Sequence, residues 1–433
     1  MTTDRTTEAA TPTRPWKTAA RQFGLLYLLL FLFGAEMYLV APLLPTISDQ
    51  LDVPTTQVAT LVTVYVIVQA IAGPFQGLAY PALGARTLVV SGSLTFAAGN
   101  ILAAAADHFL ILTLSRAIAG LGVSLAGPAI WAWIANTAHQ DTRGTAVGAG
   151  MGSFAVGQVC GVPIGAFIAA TAGWHWSFAV MGLCAVLAAP LLYRALQHAR
   201  PTPPADRPTG PHRATLLRAW RPGPLRAVLL ITFGFHAANL GAYTFLSQIL
   251  ADKHHLDVAE LGYVGAISGA GMFVGSLAGG RIGDRLRRRG RNEYTALPLW
   301  LLIVAVTIVV AVLSNQLWLS LAVVPVWFSA AGAFDTNQQT TVARLSPGFT
   351  AVALAWNLSV LYAAAAFGVW VMSSGTNRAQ SVSGVAGALL SMAFLGAVLL
   401  GARQGRTTTT VEDFDSATEK AAALDGTPRT GQS

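Results

Sequence analysis

The feature that most constrains this sequence is a series of long apolar runs separated by short polar breaks. About 20 apolar residues in a helix cross the ~30 Å hydrocarbon core of a bilayer. The sequence therefore predicts an all-α membrane protein with twelve transmembrane helices. The predicted spans are 23–47, 57–80, 87–106, 109–136, 143–170, 175–196, 225–250, 260–280, 294–313, 317–341, 349–373 and 380–402.

The basic residues predict the orientation of these spans. If the N-terminus is cytoplasmic, 24 lysines and arginines lie in cytoplasmic segments and 2 in outer loops. Such an asymmetry is typical of multi-pass proteins, whose cytoplasmic loops are rich in Lys and Arg. We therefore expect a plasma-membrane protein with both termini inside. The same bias explains the net charge of +8, so we expect the lipid bilayer as a partner and no nucleic acid.

A proline-rich stretch without an apolar run, 197–224, separates the sixth span from the seventh. Such composition is typical of a linker. The tail is rich in Thr, Ala and acidic residues, which favours disorder. The predicted parts are a cytoplasmic N-terminal segment 1–22, a six-helix half 23–196, a cytoplasmic linker 197–224, a second six-helix half 225–402, and a disordered cytoplasmic tail 403–433.

Two charged residues inside the predicted spans are candidates for proton coupling. Glu36 lies in the first span and Arg116 in the fourth. Counting ~1.5 Å per residue, Glu36 is about 15 Å and Arg116 about 10 Å below the outer face, which are similar depths. An ionisable side chain inside a membrane is expensive and usually functional. Burial favours the neutral form of a carboxyl and a nearby arginine the charged form, so the pair could load and release protons. A fixed ion pair that holds the helices together is the alternative.

Further polar side chains could bind substrate or join helices. His236, Asn239 and Tyr243 share one face of the seventh span, because they are spaced i, i+3, i+7. Tyr65 and Gln69 share a face of the second span. Membrane bundles also use such groups as interhelical hydrogen bonds, which we favour for the glutamine. His236 could equally serve in proton transfer.

Asp335 and several aromatic residues complete the candidate site. Asp335 lies ~18 residues, about 27 Å, from the outer end of the tenth span, where it could be a gate residue near the cytoplasmic mouth or a proton site. Aromatic side chains in the spans could line an apolar cavity, although packing and membrane belts are their commoner roles. These are Tyr38, Trp131, Trp133, Trp327 and Trp356.

The sequence contains none of the motifs that would indicate other classes of mechanism. There is no phosphate-binding Gly-x-x-x-x-Gly-Lys loop, so we do not expect ATP to drive the protein directly. Zinc, nucleophile and radical-cofactor patterns are also missing from the sequence, so we expect neither a metal nor an enzyme. The only coupling ion that we expect is the proton.

Spaced glycines and a basic segment resemble motifs of the major facilitator superfamily. The run GRIGDRLRRR resembles the superfamily's loop after the second helix of a half, with Gly280, Asp284, Arg285, Arg288 and Arg289 matching and Arg287 replacing a glycine. The N-terminal copy, Gly77 to Arg86, has Pro81 in place of the acid. Arg116, Gly120 and Gly122 resemble a pattern of the fourth helix. Helix five resembles the antiporter signature at Gly148, Gly157, Gly161, Pro163 and Gly165.

Three stretches resemble one branch of the superfamily, the twelve-helix drug:proton antiporters. They are Glu36 through Leu43–Pro45, Gly173–Phe178 and Ala353–Gly368. That branch includes bacterial exporters of arabinose, nucleosides and chloramphenicol. The resemblance implies two six-helix halves with helices one, four, seven and ten around a central cavity. It implies export of a small organic compound, a drug or natural product, in exchange for protons, by a monomer. A sugar or nucleoside exporter is an alternative, and an integral membrane enzyme or receptor a remote one.

Overall fold

The computed structural model describes residues 15–40, 43–197, 216–255, 258–373 and 379–401, and in these ranges every regular element is helical. The predicted N-terminal segment up to residue 14, linker residues 198–215 and the tail from residue 402 lie outside the described residues. The helices are α1 Pro15–Leu39, α2 Leu44–Leu51, α3 Thr55–Ala104, α4 Phe109–Thr137, α5 Arg143–Ala172, α6 Trp174–Ala195, α7 Gly223–His254, α8 Val258–Arg288, α9 Leu297–Leu313, α10 Leu317–Leu345, α11 Thr350–Ser373 and α12 Ala379–Gly401.

Eight of the helices in the described ranges are long and apolar enough to cross a membrane. They are α3, α4, α6, α7 and α9 to α12. Helices α1, α5 and α8 are also long enough, at 25, 30 and 31 residues. Helix α3 is long enough to cross the membrane twice. When it is counted as two spans, these helices correspond to the twelve predicted spans. The predicted all-α membrane fold is confirmed.

The predicted break between the second and third spans is a kink rather than a loop. Helix α3 runs for 50 residues and departs from helical geometry at Gly84, where φ is 75° and ψ is 165°. Glycine adopts a positive φ without a Cβ clash, so the chain can change direction at a single residue. Residues 81–86, which we predicted to lie between two spans, are therefore mostly helical.

Two other predicted boundaries were wrong. The first span does not continue to residue 47, because α1 ends at Leu39 and α2 begins at Leu44 with Pro45 in its first turn. Proline has no amide hydrogen to donate, and it is favoured where a helix starts. Helix α8 continues to Arg288, so Asp284 lies on a helix and not in a loop. Leu and Arg are good helix formers, which favours this extension.

Close helix pairs fall into two groups. In the first, α1 packs on α5, and α3 packs on α4 and α6; in the second, α8 and α9 pack on α10, and α7 packs on α11. The two most extensive interfaces between the groups are α5 with α8 and α3 with α11. Glycines mark both interfaces. A Cβ at Gly77 of α3 would be 2.7 Å from the Cα of Val352 on α11, and Gly280 of α8 lies directly against the backbone of Gly144 on α5.

The contact between α1 and α5 provides a test of this packing. A Cβ on Gly157 would overlap the carbonyl oxygen of Phe31 and lie 2.9 Å from the amide nitrogen of Ala35. Overpacking of this kind costs about 1–3 kcal/mol. We therefore expect Gly157→Ala to lower the thermal unfolding midpoint in detergent. Gly127→Ala is the matched control, because nothing lies within 4 Å of a Cβ there. Equal midpoints for the two variants would show that α1 and α5 do not pack this closely.

Candidate functional site

The first charged pair joins α1 and α4. Glu36 lies three residues before the end of α1, and Arg116 lies seven residues after the start of α4. Arg116 Nη1 donates a hydrogen bond to Glu36 Oε1, and the two side chains are 1% and 0% exposed. The structure thus brings together the two residues whose depths matched in the sequence.

An aromatic ring lies against this pair, and one polar atom of each side chain has no hydrogen-bond partner among the described residues. The Arg116 guanidinium lies over the ring of Phe178, 4.5 Å from its centroid. Among the described residues, neither Glu36 Oε2 nor Arg116 Nη2 has a hydrogen-bond partner. A buried carboxylate oxygen without a donor is costly when charged. The free Oε2 can take up a proton while Oε1 keeps its bond to Arg116.

The polar residues of α3 connect this site to α11. Tyr65 is buried, and a Cβ on Gly120 of α4 would lie 2.6 Å from its carbonyl oxygen. Gln69 Nε2 donates to the Tyr65 carbonyl at 3.2 Å, and Gln69 Oε1 accepts a hydrogen bond from Tyr362 Oη at 2.9 Å. Gln69 therefore makes an interhelical contact, the role that we favoured for it from sequence.

A second buried pair of titratable residues joins α7 and α10. His236 Nε2 lies 3.3 Å from Asp335 Oδ1, and the side chains are 5% and 10% exposed. We predicted Asp335 near the cytoplasmic mouth as a gate or proton residue, and His236 as a cavity residue. The structure buries them together, which sequence depth alone did not indicate.

Next to this pair lies a hydrogen-bonded cluster that the sequence reasoning missed. Gln338 Nε2 donates to Thr232 Oγ1 of α7 and to Asn357 Oδ1 of α11. The hydroxyl of Thr232 also donates to Asn357 Oδ1 at 3.1 Å. The available signal was the run of seven polar residues from Asp335 to Thr341 inside an apolar span. Such a run is costly in a membrane unless its groups find partners.

The remaining residues of the α7 face also contact α10. Asn239 Oδ1 accepts a hydrogen bond from Trp327 Nε1 at 2.6 Å, and both side chains are buried. The ring of Tyr243 packs edge-on against Phe328, with centroids 5.0 Å apart. His236, Asn239 and Tyr243 therefore share one face, as their spacing predicted.

Two of the other candidate aromatics lie on α4. Trp131 is buried against Gly150 of α5, where a Cβ would lie 2.8 Å from its ring. Trp133, two residues further along, is half-buried. The side chain of Tyr38 on α1 lies outside the described residues.

The last candidate aromatic, Trp356, lies on α11. Its Nε1 donates a hydrogen bond to the carbonyl of Leu216 at 2.8 Å, and its ring packs edge-on against Trp220. Trp356 thus holds the segment before α7 against α11.

The carboxylate of Asp284 caps a helix of the other group. It accepts hydrogen bonds from the amides of Gly144 and Thr145, both at 2.8 Å, and from the Thr145 hydroxyl. These amides lie in the first turn of α5, where they have no partner within their own helix, and a negative charge there is favourable. Burial raises the pKa of Asp284, while the bonds from Thr145 and the charge of Arg287 act in the opposite direction.

The arginine that pairs with Asp284 is one that the motif did not indicate. Arg287, which replaces the glycine of the motif, forms the ion pair with Asp284, and its Nη1 lies 3.3 Å from Glu293 Oε1. The three motif arginines, Arg285, Arg288 and Arg289, are exposed. Neither Arg287 nor the amides of α5 could be recognised from sequence, because all depend on the docking of α8 against α5.

Comparison with known proteins decides the family. Residues 26–369 match the model of the Major Facilitator Superfamily. The chain belongs to this superfamily.

Individual relatives agree with this assignment. The chain is 28% identical over 265 residues to an uncharacterized MFS-type transporter, YceJ, of Bacillus subtilis, covering 60% of this chain and 66% of the relative. It is 25% identical over 252 residues to a chloramphenicol resistance protein of Streptomyces lividans, covering 58% and 64%. These two alignments span just under two thirds of each relative. The crystal structure of the human organic anion transporter MFSD10 (TETRAN) is similar in fold, with 17% identity, a TM-score of 0.71 and coverage of 89% and 100%.

Membership of the superfamily establishes the class of activity. The protein is a multi-pass membrane transporter and not an enzyme. Members of the superfamily bind small-molecule substrates, usually together with coupled ions.

The superfamily-like glycines of α5 lie directly behind the stretch of α1 that carries Glu36. Gly157 and Gly161 contact the backbone of α1 at Phe31 and Ala35, and a Cβ on Gly165 would lie 2.5 Å from Leu39 Cδ1. Small residues let α5 approach α1 closely. The side chain of Pro163, the proline of this signature, lies outside the described residues.

The N-terminal copy of the basic motif has no acid to cap a helix. Its arginine, Arg86, lies over the ring of Tyr193, 3.4 Å from the centroid. Pro81 lies inside α3. Among the described residues, the capping contact between the two groups of helices is therefore the one that Asp284 makes.

Proposed function

We propose that the protein exports a small organic compound, a drug or natural product, across the bacterial plasma membrane in exchange for protons. It works by alternating access between the helix bundles of residues 23–196 and 225–402. The observation that carries the proposal is the buried Glu36–Arg116 pair, whose Oε2 can accept a proton. Nothing about spanning a membrane requires an acid at that position.

The arginine-rich ends of the helices face the cytoplasm, as the distribution of basic residues favours. In this orientation the Asp284 contact with α5 closes the cytoplasmic side between the bundles. The contact between Gly77 and Val352 closes the same side at the other interface. In the proposed orientation, the described conformation is therefore closed at its cytoplasmic side.

Proton binding at Glu36 changes which conformation is favoured. With Glu36 charged, the pair with Arg116 is neutral overall; with Glu36 protonated, the positive charge of Arg116 is unbalanced. A buried unbalanced charge is costly, so the two protonation states stabilise different arrangements of the surrounding helices. Proton and substrate compete at this shared site, and each shifts the population towards the states that it prefers, so the two move in opposite directions.

We assign the proposed substrate contacts to candidate side chains of α3, α4, α7 and α10, namely Tyr65, Trp131, His236, Asn239, Tyr243 and Trp327. Tyr38 stays a candidate from its place in the sequence of α1. Gln69 and Trp356 bond to Tyr362 and Leu216, so we assign these two to helix packing. One curated relative is named for chloramphenicol resistance, and chloramphenicol is the first compound to test.

Transport into liposomes tests the proposal. Purified protein in acid-inside liposomes should accumulate radiolabelled chloramphenicol against its gradient, as protons leave. A pH difference of one unit supports about tenfold accumulation for each proton exchanged. A protonophore should abolish the accumulation, and empty liposomes control for leakage. Accumulation that ignores both the pH gradient and the protonophore would refute proton exchange. Accumulation of arabinose or a nucleoside in place of chloramphenicol would retain the mechanism and change the substrate.

A further inference from the structure

We infer that His236, backed by Asp335, is a second proton-binding site, so that the transporter binds one proton in each helix bundle. The inference rests on the proposed function for its role in transport, and its chemistry can be tested separately. It starts from a likeness between the two buried charged pairs.

The two pairs occupy corresponding helices. Glu36–Arg116 joins the first and fourth membrane segments of the chain, and His236–Asp335 joins the seventh and tenth. The acid lies on the earlier helix in the first pair and on the later helix in the second. Each pair also leaves one titratable atom buried and without a hydrogen-bond partner among the described residues, Glu36 Oε2 in one and His236 Nδ1 in the other.

The chemistry of imidazole identifies the atom that takes the proton. A neutral imidazole has one N–H donor and one acceptor nitrogen. Nε2 faces Asp335 Oδ1 at 3.3 Å, so Nε2 carries the hydrogen and Nδ1 the lone pair. A proton added at Nδ1 makes an imidazolium next to the Asp335 carboxylate. The pair then changes from a net charge of −1 to an internally neutral ion pair, which is less costly to bury.

The other titratable side chains on α7 and α10 themselves lie further along those helices, away from His236 and Asp335. Arg344 lies nine residues from Asp335, about 13 Å along α10, and Tyr243 seven residues from His236, about 10 Å along α7. Helices α9 and α12 carry no titratable side chain in their described ranges. The other elements that contact α7 or α10 also carry titratable side chains, including Arg116 on α4, Arg143 on α5, Arg281 and Asp284 on α8, Tyr362 on α11, Arg218 in the turn before α7, and Glu293 and Tyr294 in the turn before α9. The carboxylate in contact with His236 is that of Asp335.

Solid-state nitrogen NMR on protein labelled with ¹⁵N-histidine in lipid bilayers tests the site without any substrate. The signal of His236 is identified as the one lost in His236→Gln, and His175→Gln is the control that removes a different signal. We expect His236 to change from the Nε2–H tautomer to the imidazolium as the pH falls. Asp335→Asn removes the stabilising carboxylate and should reduce the imidazolium population at a given pH. Glu36→Gln should leave the titration of His236 in place.

A neutral His236 at every pH at which the protein stays folded would overturn the inference. So would an unchanged titration in Asp335→Asn. Once the His236 signal is assigned, the effect of the carboxylate is read in Asp335→Asn, a variant that keeps His236.

The transport consequence is measured by accumulation of chloramphenicol in liposomes at an imposed pH difference of one unit. Exchange of two protons supports about hundredfold accumulation, and His236→Gln should reduce it to about tenfold. Wild-type accumulation that stays near tenfold and is unchanged in His236→Gln would exclude the second proton from the cycle. If chloramphenicol is not transported at all, the proposed substrate fails, while the NMR titration still decides whether the second site exists.

Discussion

Replacing Glu36 with glutamine should abolish uphill export driven by a pH gradient and leave downhill exchange of substrate. Glutamine has nearly the shape of a protonated glutamate, and its Oε1 can still accept the hydrogen bond from Arg116. It cannot bind and release a proton. Because Glu36 is the site at which we propose that proton and substrate compete, a proton bound at His236 alone should not drive export. The measurement is accumulation of chloramphenicol in acid-inside liposomes, compared with counterflow at equal pH on both sides.

The structure adds a cost in stability to this variant. Arg116 is buried, so Glu36→Gln leaves its positive charge unbalanced. Removing one partner of a buried ion pair outright costs about 3–5 kcal/mol, and we expect less here because the hydrogen bond is retained. The double variant Glu36→Gln/Arg116→Gln restores a neutral pair and should regain part of the lost thermal stability. Neither variant should export uphill.

Two further variants separate coupling from other effects. Asp107→Asn changes an exposed carboxylate at the start of α4 and should export normally. Arg116→Ala removes the ion-pair partner of Glu36, and the pH dependence of transport should change with it. Uphill export by Glu36→Gln under a proton gradient would place the coupling site elsewhere, with His236 and Asp335 the next residues to test.

Replacing Asp284 with asparagine should slow transport without abolishing substrate binding. The carboxylate accepts three hydrogen bonds from Gly144 and Thr145 and pairs with Arg287. An asparagine has one acceptor oxygen and an NH₂ group, which would face donors. Losing a hydrogen bond to a charged group costs about 1.5–3 kcal/mol, which corresponds to a tenfold or larger shift away from the conformation closed at this end.

The shift can be measured as a distance between spin labels at the exposed positions His139 and Arg289, with the free cysteines Cys160 and Cys184 replaced. Asp284→Asn should increase the population of the longer distance. Asp141→Asn is the matched control, since it changes an exposed carboxylate in the same region. An unchanged distance distribution together with an unchanged transport rate would show that this contact does not bias the cycle.

Several details of the site could not be predicted because they depend on contacts between distant segments. The basic motif pointed to Asp284, yet its partners are Arg287 and the first-turn amides of α5, about 140 residues earlier in the chain. Likewise, depth placed Asp335 near the cytoplasmic end of its helix, and only packing showed that His236 lies against it. Sequence gives the depth of a side chain along its helix. A hydrogen bond also requires that both helices are rotated so that the two side chains face each other.

Helix boundaries show the same limit at short range. The apolar run from Leu25 to Ile47 predicted one helix, because hydropathy does not distinguish a continuous helix from two helices with a break. The break near Pro45 and the kink at Gly84 are local backbone events at residues whose special geometry was visible in the sequence. Sequence alone did not show which prolines and glycines would interrupt a helix, since Pro74 and Pro81 lie inside α3.

The sequence by itself determined the all-α membrane class, the family and the matching depths of Glu36 and Arg116. These follow from apolar length, motif spacing and the helical rise, which are properties of a chain read along one dimension. Only the tertiary structure decided that Glu36 has a free Oε2, that His236 and Asp335 are a pair, and that α5 is capped by α8. The physical reason is that each of these contacts lasts only while two helices hold their side chains within hydrogen-bonding distance, and helix packing sets that distance.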